Sequence, residues 1–233
     1  LRFLLLTRAA LDSCQRMGFQ PQIFHCNDWH TAFGPLFLRS IYAWDRLFAA
    51  TRTVLTIHNI GYQGIFSAAA ASDLGLGAQN HLLHQDDLRQ GRINSLKHGI
   101  IYADVVTTVS PTYAREIRTE QFGMGLEGTL RMRPGGVIGI LNGVDYSEWN
   151  PQTDRFIPHH FSAQDLSGKE QTKQHLLKTL KLDSRRRMPL LGIVSRMTLQ
   201  KGFDLLFDAL PRLLRERPLR AVVIGFGATA RGA

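Results

Sequence analysis

Residues 94–117 read NSLKHGIIYADVVTTVSPTYAREI, and this stretch decides the fold. Asn94 to Tyr102 carries apolar residues at helical spacing, Val105 to Val109 is the short apolar run of a buried strand, and a helix begins at Pro111. The same alternation extends outward in both directions. Upstream lie a helix from Leu1 to Arg16, ended by Gly18 and Pro21, a strand from Gln22 to Cys26, a helix near Thr31 to Ser40 and a strand from Val54 to Ile57. Phe3, Leu4, Ala10 and Leu11 are spaced to share the buried face of the first helix. Downstream, Val137 to Leu141 reads as the next strand. Short buried strands separated by helices predict an α/β fold with a parallel sheet covered on both faces.

Three stretches are less regular: Ile60 to Asp87, Gln121 to Gly136 and Asp145 to Phe161. Each is a loop after or between strands, where binding residues concentrate. A helix over Lys169 to Leu182 then leads into the basic link Ser184 to Met188 and Pro189. Beyond the link the pattern restarts, with strand Leu190 to Val194, a glycine turn, helix Phe203 to Arg215 and strand Ala221 to Ile224. The expected division is therefore a first domain over 1–186 and the opening βαβ unit of a second over 187–233.

Composition narrows the function classes. Of 233 residues, 44% are hydrophobic and 20% charged, which is globular and excludes disordered and fibrous chains. No apolar run approaches the roughly 18 residues of a membrane-spanning helix, so no membrane partner is expected. The net charge is +9, and residues 181–220 hold ten basic and four acidic side chains, which favours an anionic partner there. The basic residues are interrupted by the core positions of a strand and a helix, so a nucleic-acid surface is not the expectation. Cys14 falls in a helix and Cys26 in a buried strand, a placement unlike a disulfide framework. A reducing, cytoplasmic location is expected.

Four segments could carry chemistry. In HCNDWH, residues 25–30, a strand gives way to a helix, and Asp28 lies at the carboxyl edge of the sheet where α/β proteins bind ligands. His25, Cys26, Asp28 and His30 also invite a metal reading. Alternation puts His25 and Asn27 on one strand face while Asp28 and His30 fall at the turn, which is poor ligand geometry. The structural alternative has Asp28 as a helix N-cap and His25 as a satisfied core residue. In TIHNIGYQG, residues 56–64, His58 ends an apolar strand, and its ring or its carbonyl could contact a ligand; capping the strand end is the alternative. LNGVD, residues 141–145, is a strand running into an Asn-Gly turn. In SRMTLQKG, residues 195–202, Arg196 and Lys201 flank a loop that leads into a helix N-terminus, a plausible diphosphate site without the Walker A spacing.

Taken in order, RFLLLTRAALD, NDWHTA, TIHNIGYQGIF, NSLKHGIIYAD, VTTVSPTYAREI, GLEGTL, ILNGVDYSEWNPQTD and VSRMTLQKGFDLL resemble the glycogen and starch synthase family, in particular the bacterial enzymes that use ADP-glucose. These motifs span nearly the whole chain. The resemblance implies the B-type glycosyltransferase architecture of two Rossmann-like domains, here with most of the first and a truncated second. The family's lysine-glycine loop is expected ahead of Leu1 and its glutamate motif beyond Ala233, and the segment after Gly227 departs from the family pattern. The implied reaction is retaining transfer of glucose from ADP-glucose to the nonreducing end of an α-1,4-glucan. Carried over, Asp28 and His58 face the donor glucose, Asn142 bonds its hydroxyls or the phosphate region, and Arg196 and Lys201 hold the diphosphate. Tyr62 and Gln63 shape the acceptor side. The partners implied are a nucleotide-diphosphate glucose and an α-glucan, with no metal and no cofactor, ADP-glucose being a substrate. The alternative is a chain that binds nucleotide or glucan without turnover. A metallohydrolase on His25, Asp28 and His30 is a further alternative.

Overall fold

The computed structural model describes residues 2–73, 75–184 and 188–226, and the chain divides into two compact units, Leu1–Gly143 and Val144–Ala233. The expected boundary between 186 and 187 lies outside the described residues, as does the segment after Gly227.

The first unit contains, in order, α1 (Arg2–Met17), β1 (Ile23–Asn27), α2 (Asp28–Thr31), α3 (Gly34–Leu38), β2 (Arg52–Ile57), β3 (Ile65–Ser67), α4 (Gln85–Arg89), β4 (Arg92–Asn94), α5 (Ser95–Tyr102), β5 (Val105–Thr108), α6 (Pro111–Glu116), α7 (Glu127–Met132) and β6 (Ile138–Gly139). Strands β1, β2, β5 and β6 form a parallel sheet in that spatial order, with Asn27 opposite Thr56, Thr56 opposite Thr107 and Thr107 opposite Ile138. Side chains promote this register because they alternate: Thr53, Leu55 and Ile57 of β2 are buried while the residues between them are not. The helix starts are written locally. The Asn94 side chain accepts from Lys97 N at 3.0 Å, and the Ser110 hydroxyl accepts from Tyr113 N at 2.9 Å ahead of Pro111, so α5 and α6 begin where the sequence places them.

Two glycines show which face of the sheet is covered. A Cβ at Gly34 would sit 2.8 Å from Cys26 Sγ, and one at Gly99 would sit 2.7 Å from Ala32 Cβ and 3.0 Å from Leu55 Cδ2. Helices α3 and α5 thus lie directly on β1 and β2, and Cys26, Leu55, Ile57, Leu96, Ile100 and Val106 share one core. On the opposite face Ile23 is 58% and Ile138 50% exposed. Among the described residues cover on that second face is partial: Ile23 and Ile138 lie in its outer strands, while Thr107 of β5, the partner of Ile138, is 8% exposed.

Other departures are local. In α1 the buried positions are Thr7 and Leu11 with Leu4 and Cys14 half-buried, and Ala10 is exposed. The inward stripe runs 4, 7, 11, 14, and the Thr7 hydroxyl is satisfied by donating to Phe3 O at 2.9 Å. The irregular segments contain helix α7 and strand β3, which pairs antiparallel with β4 just beyond them, each too short for periodicity to reveal. Strand β6 covers two residues rather than five, although Ile140 N still donates to Thr108 O at 2.8 Å. Both cysteines are free thiols, and burial pushes Cys26 up to about 12 against a hydrogen bond from Thr31. No helix among the described residues is long and apolar enough to cross a membrane.

Two carboxylates brace the unit, Asp104 against the start of β2 and Asp87 beside the first turn of α5. Asp104 accepts from Thr53 N at 2.7 Å and Thr53 Oγ1 at 2.8 Å, with Arg39 Nη2 at 3.1 Å. Asp87 is buried against Lys97 Nζ at 2.8 Å and Arg92 Nε at 3.4 Å. Burial alone would raise both carboxyls. For Asp104 the Thr53 hydrogen bonds and the Arg39 and Arg52 charges outweigh it, and for Asp87 the hydrogen bond and charge of Lys97 do, so both stand below the usual range. A carboxyl depressed in the folded state contributes stability above its unfolded value near 4 and loses that contribution as pH falls through the folded one. The urea midpoint is expected to hold down to about pH 5 and to fall steeply below about pH 4. Asp104→Asn should flatten that fall, and an unchanged slope would rule Asp104 out as its source.

The second unit contains α8 (Ser167–Thr179), β7 (Leu190–Arg196), α9 (Phe203–Glu216) and β8 (Arg220–Phe226) after a long loop. Strands β7 and β8 pair in parallel from Leu190–Arg220 to Arg196–Phe226, with α9 as the crossover, the βαβ unit that the sequence predicts.

Candidate functional site

Because the four strands of the β1–β2–β5–β6 sheet are parallel, their carboxyl ends lie along one edge, and the segments leaving them carry Asp28, His58 and Asn142. Asp28 immediately follows β1 and has φ +51°, a left-handed conformation that few residues other than glycine adopt. It is fixed there by its own carboxylate: Oδ1 accepts from His58 N at 2.7 Å and from Asn59 N at 3.2 Å. A single side chain therefore ties the end of β1 to the end of β2. Strain of this kind costs roughly 1–3 kcal/mol and persists where surrounding contacts over-determine it.

The alternative of Asp28 as an N-cap is corrected, because the N-cap of α2 is Asn27. His25 is exposed rather than a core residue, and its Nε2 lies 2.7 Å from Thr56 Oγ1. His30 stacks on Trp29 with centroids 4.2 Å apart. His25, Asp28 and His30 are thus committed to three different partners. Among the described residues no three His, Cys, Asp or Glu side chains are grouped to hold a metal ion.

His58 is exposed, and its ring Nε2 lies 2.9 Å from Asn27 Oδ1. The following loop is held at every step. Asn59 Oδ1 accepts from Gly61 N at 3.0 Å, and Ile60 N donates to the Tyr113 hydroxyl at 3.1 Å. Gln63 donates through Nε2 to Met124 O at 2.9 Å and accepts from Asn94 Nδ2 at 2.6 Å. Gly64, at φ +63°, lies so close to Trp29 that a Cβ would approach Cε3 to 2.3 Å. Tyr62 is left 53% exposed at the loop tip. The structure thus brings Asp28, His58 and the loop bearing Tyr62 and Gln63 together, with Gln63 fully engaged in holding the loop. A mainly apolar cavity of about 480 Å³, lined by Phe3, Trp29, His30, Phe33 and Phe66 among others, flanks Gly64.

Asn142 is exposed and lies past β6, outside any helix or strand. In the second unit Arg196 ends β7, and Lys201 lies in the turn before α9, where Gly202 takes φ +70° as the N-cap. Both cations are exposed, and neither enters an ion pair among the described residues.

Sequence reasoning missed Asn27, Tyr113 and Asn94, whose partners lie 31, 53 and 31 residues away. It also missed His98. That ring is fully buried, accepts from His84 N at 3.0 Å, and donates from Nδ1 to Asn94 O at 2.7 Å. Burial holds it below the usual histidine range.

A family profile described as "Starch synthase catalytic domain" matches residues 1–132. The chain is 42% identical over 215 residues to a glycogen synthase of Thermodesulfovibrio yellowstonii, covering 92% of this chain and 43% of that protein. It is 48% identical over 226 residues to a glycogen synthase of Koribacter versatilis, covering 97% and 46%. Among solved structures, the catalytic domain of starch synthase IV from Arabidopsis thaliana bound to ADP and acarbose matches with a TM-score of 0.87 and 42% identity, over 96% of this chain and 46% of that one. The chain thus spans somewhat less than half the length of these relatives.

Proposed function

Since the chain belongs to the starch synthase catalytic-domain family, we propose that it supplies the donor-facing part of a retaining glucosyltransferase that moves glucose from ADP-glucose to the nonreducing end of an α-1,4-glucan. The observation that carries this reading is the Asp28 carboxylate at the carboxyl edge of the parallel sheet, held in a left-handed conformation by the His58 and Asn59 amides. That the starch synthase IV relative is bound to ADP and acarbose supports a nucleoside-diphosphate donor in this reading.

In this reading the bond between the anomeric carbon and the diphosphate oxygen breaks with its electron pair passing to the diphosphate. Positive charge grows on the sugar as negative charge grows on the leaving group. Arg196 and Lys201 stabilise the diphosphate. His58, through its ring or carbonyl, and Asp28 face the sugar, and Asn142 bonds its hydroxyls or the nearby phosphate. The acceptor 4-hydroxyl forms the new bond, and its proton passes to the departing phosphate, so no carboxylate pair of the glycosidase kind is needed. Neither a metal nor a cofactor takes part. Tyr62 contacts the acceptor side, with Gln63 shaping the loop that carries it. We assign the chain to the two-domain B-type architecture with the second domain beginning at 187, and to the reducing cytoplasm, in keeping with two free cysteines.

Calorimetric titration with ADP, ADP-glucose and maltooligosaccharides, paired with an assay for ADP release in the presence of glucan, tests this reading. Binding with glucan-dependent ADP release is the expected result. Binding without release would assign the chain affinity alone, and no binding of any of the three would overturn the reading.

A further inference from the structure

An asparagine at a helix N-cap ordinarily turns its side chain back to accept from the first turn. Asn27 occupies that position ahead of α2, with extended backbone at φ −122° and ψ 122°, yet makes no side-chain capping bond. Its Oδ1 instead meets His58 Nε2 at 2.9 Å. The Asn27 backbone is secured without help from its own side chain. Thr31 Oγ1 accepts from Asn27 N at 2.7 Å and donates to Asn27 O at 3.1 Å. The amide is thus directed to the ring of the residue that follows the neighbouring strand β2.

The chemistry of the pair fixes the ring. An amide oxygen only accepts, so the nitrogen facing it carries the proton, and the neutral ring keeps its lone pair on Nδ1. Asp28, the next residue, holds the His58 main chain at the same time. Consecutive residues of one strand end thus govern both the backbone and the imidazole of a single histidine.

We propose that Asn27 is a positioning residue that holds the His58 ring in one rotamer as the Nε2–H tautomer, so that Nδ1 offers an acceptor to a hydroxyl of the donor sugar. This rests on the reading of His58 as donor-facing. A neutral acceptor suits a sugar that gains positive charge as its leaving group departs. A ring protonated on Nδ1 would offer that hydroxyl a donor and aim its lone pair away.

The test uses the 233-residue chain with ¹⁵N-labelled histidine in alkaline buffer, where imidazoles are neutral. The His58 signals are identified by their loss in His58→Gln. In the unaltered chain the ring nitrogens are expected to show the Nε2–H pattern with a single χ1 rotamer. Asn27→Ala and Asn27→Ser are both expected to move the two nitrogen shifts toward those of an unconstrained ring and to average the χ1 couplings, with circular dichroism unchanged. Serine is the discriminating variant, because it keeps a polar side chain that is too short to reach the ring. An Nδ1–H ring in the unaltered chain, or a ring unaffected by both substitutions, overturns the proposal. ADP-glucose is then added, and a shift of His58 Nδ1 is expected. No shift, with the tautomer result intact, overturns the assigned hydroxyl contact and the donor-facing reading while leaving the control by Asn27 standing.

Discussion

Alanine at Arg196 or at Lys201 is expected to lower glucosyl transfer by ~10² or more, the usual cost of losing one preorganised contact to a charge that develops in the transition state. The two side chains bracket the turn between β7 and α9, and both are exposed with no ion pair among the described residues. Their removal should therefore cost no packing. The fall is expected in kcat more than in KM, because the leaving diphosphate gains negative charge only as the bond breaks. The measurement is steady-state ADP release in a polypeptide of the relatives' full length that carries this sequence. An unchanged rate for both variants would remove these residues from the mechanism. A rise in KM with kcat unchanged would make them ground-state contacts alone.

Lys97→Met is expected to destabilise the first unit by about 3 kcal/mol, at the lower end of what breaking a buried ion pair costs. Asp87 is buried and, among the described residues, keeps Arg92 Nε at 3.4 Å as its cation once the 2.8 Å contact from Lys97 is gone, while His84 Nδ1, also 3.4 Å away, already accepts from Asp87 N. The loss comes from leaving a carboxylate with too little compensation in a low-dielectric setting. Adding Asp87→Asn to Lys97→Met should recover at least half of it, since the stranded charge is then removed. Urea denaturation of the single and double variants checks both statements. A double variant less stable than Lys97→Met would show that the carboxylate is not what the lysine compensates.

What the sequence reveals of this molecule is set by the range over which its signals act. Apolar runs such as Val105–Thr108 and Leu190–Val194, and polar residues such as Asn94 and Ser110 just ahead of helices, act within a few residues. They place α5, β5, α6 and the βαβ unit correctly. Strands β3 and β4 span three residues each, below the length at which period-two alternation can be distinguished from chance. In α1 an alanine and a threonine compete for the inward position. Hydrophobicity favours Ala10, but Thr7 is one turn from Leu11 and satisfies its hydroxyl within its own helix. At the candidate site, Asp28 and His58 were legible as residues because each ends a strand. That Asp28 clasps the His58 amide rather than capping α2 was not legible, because it depends on β1 and β2 lying side by side. The same holds for the grip of Tyr113 and Asn94 on the loop that follows β2.

The register of the sheet has a kinetic consequence. Thr56 and Thr107 touch across β2 and β5 although 51 residues separate them, and the pairing of β1 with β2 likewise joins segments some way apart. Such contacts form only after the intervening chain has been drawn into a closed loop, an entropic toll incurred before any strand bond is gained. Folding of the first unit should therefore be slow relative to helical proteins of its size, with the local turns of α5 ordering before any of the strands pair. The clasp of Asp28 on the end of β2 can close only once β1 and β2 lie side by side, so ligand competence should emerge after the growth of helix signal rather than alongside it.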